Sequence, residues 1–212
     1  MEQVAGSVEM DSKGKIIILN GAPRSGKSSI VREIQHSFEG VWMNLGVDIF
    51  MKMTPDHLQP GIGLRPGGER PDLEPAIMKM YDAMYKAIAA ISSTGLNVVT
   101  DVGHHDGYSV SRDILTQCAA SLKDHDVLFV GVRCSIEEIM ERRIATWGAG
   151  YEADGAVPKP VQRWQQLVHE PGIYDLKVDT SMLSSKQCAD LIRQRLAEGT
   201  TGSAFQRIRG CE

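Results

Sequence analysis

Short runs of apolar residues alternate along this chain with longer stretches in which apolar side chains return every three or four positions. The runs are 15–19 (KIIIL), 42–47 (WMNLGV), 97–100 (NVVT), 127–132 (VLFVGV) and 175–179 (DLKVD). Most are aliphatic at odd and even positions alike, which predicts parallel strands buried on both faces. In 73–91 the residues Leu73, Ile77, Met80, Met84, Ile88 and Ile91 fall along one helical stripe, and 107–122, 135–146, 160–168 and 184–197 read similarly. Alternation of this kind predicts an α/β protein, a three-layer α/β/α sandwich with right-handed crossovers. One stretch breaks the rhythm. Residues 54–75 hold five of the nine prolines and four glycines, too many for an ordinary connection, and are expected to form a surface loop beside the active site or a partly mobile flap. Residues 1–14 and 199–212 lack periodicity and are expected to be weakly ordered ends of one domain spanning 15–198.

At 212 residues and 42% hydrophobic composition, the chain can bury one good core and is short for two. A net charge of −4 argues against nucleic acid as a partner, because affinity for a phosphate backbone comes from clustered Lys and Arg. The first fifteen residues carry three acids and no apolar run, so no secretion signal or membrane anchor is expected there, and no later stretch is long enough to span a bilayer. Cysteines 118, 134, 188 and 211 are irregularly spaced, without a C-x-x-C pair, as reduced thiols in a cytoplasmic protein would be.

The chemistry begins at residues 16–29, IIILNGAPRSGKSS. Gly21, Gly26, Lys27 and Ser28 fit G-x-x-x-x-G-K-[ST] between a predicted strand and a predicted amphipathic helix carrying Ile30, Val31, Ile34 and Phe38. Glycines let such a loop curl so that its N–H groups face phosphate, and the helix adds its positive end. The whole stretch Gly21, Ala22, Pro23, Arg24, Ser25, Gly26, Lys27, Ser28 and Ser29 is therefore the candidate nucleotide cradle. Lys27 is expected to reach the β- and γ-phosphates and Ser28 to ligate Mg2+, with ATP, or less favourably GTP, as the nucleotide. For Arg24, which the motif leaves free, a phosphate contact and a solvent-facing position are both open.

In open α/β sheets ligands lie beyond the carboxyl ends of the strands. Asp48 is expected to end the second strand, in LGVDIF, and Asp101 the third, in NVVTDVGHH. Phosphoryl transfer needs one carboxylate to orient an acceptor hydroxyl and take its proton, which suits Asp48, and another to hold metal, which suits Asp101. Capping of a following helix is the competing reading for each. His104 and His105 are expected to line the substrate pocket rather than bind metal, since adjacent histidines seldom point the same way. Met51 and Met53, with Trp42, are candidates for an apolar acceptor wall, with plain core packing as the alternative. His169 and Glu170, in VHEPGIYD, read as a helix end turning into the last strand.

Together IIILNGAPRSGKSSIVR, LGVDIF, VLFVGVRCSIEEIMERR and VHEPGIYDLKVDTS resemble the chloramphenicol phosphotransferase family of small P-loop kinases, over most of the chain from Lys15 to about Leu196. The resemblance implies a P-loop kinase fold with a central five-stranded parallel sheet, and transfer of the ATP γ-phosphate to a hydroxyl of a small molecule, an antibiotic. It maps the family's general base to Asp48 and its loop to Lys27 and Ser28. The chain departs from the family in two places. The lid (142–163) lacks the expected arginine-rich stretch, so Arg142, Arg143 and Arg163 are the candidates to stabilise the transferring group, Arg143 foremost. The acceptor loop, about 50–75, is changed too, which leaves room for a metabolite or sugar-nucleotide acceptor of the shikimate-kinase or zeta-toxin kind. A regulator that binds nucleotide without transfer is the alternative outside enzymes.

Overall fold

The computed structural model describes residues 12–148, 150–199 and 202–210. Five strands, β1 (Ile16–Asn20), β2 (Trp42–Asn44), β3 (Asn97–Val102), β4 (Val127–Arg133) and β5 (Leu176–Asp179), pair in parallel in the order β2-β3-β1-β4-β5. β1 is the middle strand and all five of its residues are buried. The alternation of its side chains divides the core. Ile16 and Ile18 face helices α3 (Glu74–Ser93), α4 (Ile114–Ser121) and α8 (Ala204–Ile208), whereas Ile17 and Leu19 face α1 (Lys27–Ser37) and α7 (Ser185–Ala197). This is the expected three-layer sandwich, an all-parallel sheet covered on both faces. Three more helices, α2 (Val47–Met53), α5 (Ile136–Trp147) and α6 (Lys159–Leu167), complete the set among the described residues. α5 and α6 close a small apolar cluster of Ala22, Cys134, Ile139 and Val168 beyond the strand ends.

Three expectations need correction and one narrows. The second strand stops at Asn44, because only Trp42, Met43 and Asn44 pair with β3, and Gly46 then opens α2. The fourth helix starts at Ile114 and not at 107; the Asp106 carboxylate takes the N–H groups of Arg112 and Asp113 just ahead of it. Residues 54–75 keep to the first of their two readings, a loop beside the site: two short 3-10 turns lie within them, and Ile62, Leu64 and Leu73 are buried against Tyr81 and its neighbours. The tail is folded in part, since α8 buries Ala204 and Phe205, whose ring meets Phe129 at 5.0 Å. The expected loose amino-terminal segment falls mostly outside the described residues, as does Cys211, while Cys118, Cys134 and Cys188 are free and buried. No helix among the described residues is long and apolar enough to cross a membrane.

Candidate active site

The loop 21–28 leaves the end of the central strand, beside the point where winding turns from β2 and β3 to β4 and β5. Gly26 takes φ 88°, in the left-handed region, and Arg24 takes φ 68°. No side chain caps α1, so its first N–H groups lack an intrahelical acceptor. The loop's carbonyls are fastened instead. Thr180 donates its hydroxyl to the Ser25 carbonyl at 2.8 Å, and Arg142 donates Nη1 to the Arg24 carbonyl at 3.2 Å and Nη2 to the Thr180 carbonyl at 3.0 Å. Lys27 lies across the loop, giving Nζ–H bonds to the Gly21 and Ala22 carbonyls, both at 2.8 Å. Burial drives its pKa down from 10.5 to about 8, with Asp101 and Asp48 opposing.

Both carboxylates act on Lys27 because both face the same space, a cleft of about 580 Å3 whose walls include Lys27, Ser28, Asp48, Asp101, Arg142 and Trp164. Ser28 donates its hydroxyl to Asp101 Oδ2 at 2.8 Å. Asp48 stands in the first turn of α2, not at a strand end. A Cβ at Gly46 would overlap Asp101 Oδ1, so glycine is what lets α2 begin against the third strand.

Of the proposed cradle, Gly21, Pro23, Arg24, Gly26, Lys27, Ser28 and Ser29 line the cleft, while Ala22 and Ser25 are buried behind it. Arg24 stacks on Trp147, 4.1 Å from the ring centroid. Met51 lines the cleft; Met53 is 69% exposed outside it, and Trp42 belongs to the core. The histidines are not cleft residues either. His104 is locked between its backbone bond to Asn20 Oδ1 (2.8 Å) and a 2.7 Å hydrogen bond shared with the Tyr85 hydroxyl, and burial, with help from His105, depresses its pKa to about 3. His105 gives an Nε2–H bond to the Leu64 carbonyl at 3.0 Å and takes the Gly107 N–H on Nδ1, which fixes the tautomer. Both line a separate cavity of about 690 Å3 on the far side of their loop, and no group of three or more His, Cys, Asp or Glu among the described residues could hold a metal. His169 shares a 2.8 Å bond with the Tyr174 hydroxyl, a structural role. Arg143 is turned out of the cleft into a side cavity, and Arg163 lies near Gly67 of the acceptor loop; Arg142 is the lid arginine that reaches the phosphate loop.

Three contributors escape a reading of the sequence. Asn20 donates Nδ2 to the Val168 carbonyl (2.7 Å) and to the Tyr174 hydroxyl (2.9 Å) while its Oδ1 takes the His104 N–H, tying the end of the central strand to the 168–174 connection and to the segment after β3. Glu74, fully buried, holds the 109–112 segment through Ser109 and Arg112. Burial pushes its carboxyl upward, but those bonds outweigh it and leave the pKa below the usual carboxylate range. Thr180 is the third, and only its position beside the loop reveals it.

The family model for chloramphenicol phosphotransferase-like proteins matches residues 14–197. The chain belongs to that family. This makes it a phosphotransferase of the P-loop kinase fold. Two Mycobacterium tuberculosis proteins, from two strains and each provisionally named an O-phosphotransferase, are 25% identical to it over 93% of this chain and 88% of their own. Among solved structures, a provisionally named kinase from Chloroflexus aurantiacus superposes with TM-score 0.60 at 18% identity, covering 89% of this chain and 99% of that one. A Mycobacterium tuberculosis APS kinase bound to AMPPNP and APS gives 0.57 at 16% identity, over 87% and 98%. An Acinetobacter baumannii shikimate kinase bound to shikimate gives 0.56 at 14%, over 90% and 97%. These likenesses establish the fold of this family member.

Proposed function

We propose that this chain transfers the γ-phosphoryl group of ATP to a hydroxyl of a small molecule, with an antibiotic as the favoured acceptor. The observation that carries the reading is one cleft walled by Lys27 and Ser28 on the phosphate side and by Asp48 and Met51 on the other. Ser28 bonded to Asp101 is a pair of hard oxygen ligands of the kind Mg2+ takes, so these two residues would hold it. When bound, the metal would neutralise charge on the phosphate oxygens. Loop amides and Lys27 orient the phosphates; Asp48 receives the acceptor hydroxyl, aligns it for in-line attack and takes its proton. The acceptor oxygen forms a bond to the γ-phosphorus as the bond to the β-phosphate oxygen breaks, and ADP leaves. Arg142, held on the loop by Thr180 and the Arg24 carbonyl, adds a guanidinium to stabilise the charge. Three unpaired buried thiols support a reducing, cytoplasmic setting.

The test is ATP consumption with and without a panel of hydroxyl-bearing antibiotics and metabolites, with each acceptor weighed for an added phosphate. Acceptor-dependent turnover is expected, and Asp48→Asn is expected to lower it by at least about 100-fold while ATP still binds. Slow hydrolysis alone, unaffected by any acceptor, would sink the transfer reading in favour of a nucleotide-binding regulator. Turnover with metabolites only would move the acceptor out of the antibiotic class.

A further inference from the structure

Beside the cleft lies a smaller cavity, about 320 Å3, between the phosphate loop, α5, α6 and the acceptor loop. Pro23, Trp147 and Trp164 line both spaces, so they form a shared wall that one molecule can straddle. The smaller space is mostly apolar, with Ile139, Val161 and two prolines of the lid, but it contains two guanidinium groups and no carboxylate. Arg65 is paired with Glu69 at 2.8 Å. Arg143 has no ion pair among the described residues, and its Nε is buried without a hydrogen-bond partner. Its guanidinium carbon lies over the Trp147 ring, 4.9 Å from the centroid. Trp164 Nε1 is also buried without a partner; it stands beside Gly103 at the end of β3, where a Cβ would come within 3.4 Å of it. Buried N–H donors are nearly always satisfied. Two buried donors without partners beside one shared wall, a guanidinium without an ion pair and apolar sides define the complement: an apolar ring carrying an anionic acceptor group.

We propose that this cavity is a specificity subsite for the acceptor, taking an aromatic ring with a carboxylate that Arg143 pairs, while the acceptor's hydroxyl lies in the cleft beside Asp48. Its place in the reaction rests on the phosphotransferase reading; its binding chemistry does not. Arg143 is a recognition residue here, removed from the transferring phosphoryl group, and the departure of the lid from the family's arginine-rich pattern becomes a change of acceptor.

The probe is 2-naphthoate, with the isosteric neutral 2-naphthamide as its control, titrated into the full chain with AMPPNP and followed by tryptophan fluorescence, since Trp147 and Trp164 line the site. The acid is expected to bind at least about tenfold more tightly than the amide, the worth of a charge-assisted hydrogen bond. Arg143→Gln is expected to erase that preference, and Arg143→Lys to keep part of it because the charge stays. Equal affinity of acid and amide, or a preference that survives in R143Q, overturns the proposal. If R143Q does not fold, a preference in R143K that equals the wild type's overturns it, because the guanidinium then does nothing. Naphthoate binding with no ATP turnover on any acceptor sinks the transfer reading and leaves the subsite standing; turnover without naphthoate binding does the reverse.

Discussion

Lys27 offers a test of the donor half that needs no acceptor. In the free protein its ammonium is crowded by burial, and its pKa falls to about 8. A bound triphosphate would supply the missing counter-charge and hold the lysine protonated, so only the protonated fraction of free protein is ready to bind. With a pKa of about 8 that fraction is about 0.76 at pH 7.5 and about 0.03 at pH 9.5, and the apparent ATP affinity should weaken about 25-fold across this window. The γ-phosphate, with a last pKa of about 6, is already ionised throughout and contributes no slope. Titration calorimetry at half-unit pH steps in two buffers of different ionisation enthalpy reads the affinity and the proton taken up together. Lys27→Arg, whose charge is permanent, should flatten the profile. A wild-type affinity constant to within about threefold over the window would refute the lysine's contact with phosphate or its depressed pKa. The free protein should respond oppositely. The unfolded chain holds the extra proton between pH 8 and 10.5, so Lys27 contributes increasing stability as pH rises through that range.

Asp101→Asn keeps an acceptor for the Ser28 hydroxyl but removes the charge, and should raise the Mg2+ needed for half-maximal transfer at least about tenfold; an unchanged requirement would take Asp101 out of the metal site. Phe205→Ala should cost about 3–5 kcal/mol by urea unfolding, because the ring is buried against Phe129; a loss under about 1 kcal/mol would mean α8 is only loosely attached. Asn20→Ala leaves the His104 N–H and a Val168 carbonyl bond unmet, at about 1–3 kcal/mol for each orphaned group, read as a lower thermal midpoint; a midpoint within about 1 °C of wild type would argue against the tie.

What could be read from the chain was what its local pattern encodes. The phosphate loop is one contiguous motif, and the buried strands are continuous aliphatic runs, so the donor half and the sheet were legible. Asp48 was found for the right neighbourhood but on the wrong element: WMNLGV reads as a single strand, whereas pairing stops at Asn44, Gly46 opens α2, and Val47, Phe50 and Met51 pack on the core at helical spacing. The five residues of α8 are too few to show a period, and what folds them stands far back in the chain: the ring of Phe129 on the same face of the sheet, and Asp175, whose carboxylate takes the Ser203 and Ala204 N–H groups. Asn20, Thr180 and Trp164 carry no local signal, since their partners stand far along the sequence. The histidine pair misled because proximity to Asp101 in sequence is not proximity to the cleft: the chain turns at Gly103 and sends His104 into the tyrosines of α3.

Gly46 carries a consequence for exchange between relatives. The acceptor helix begins in hard contact with the carboxylate that bonds Ser28, with no room for a side chain between them. A graft of a foreign acceptor segment whose first residue lies after this glycine leaves the Ser28–Asp101 bond untouched. A graft that replaces the glycine by any other residue must turn the Asp101 carboxylate away, and so disturbs the Ser28–Asp101 pair whatever acceptor it was meant to bring. The interchangeable part of the molecule therefore starts at position 47, and chimeras cut one residue earlier should lose nucleotide-dependent activity together with their old specificity.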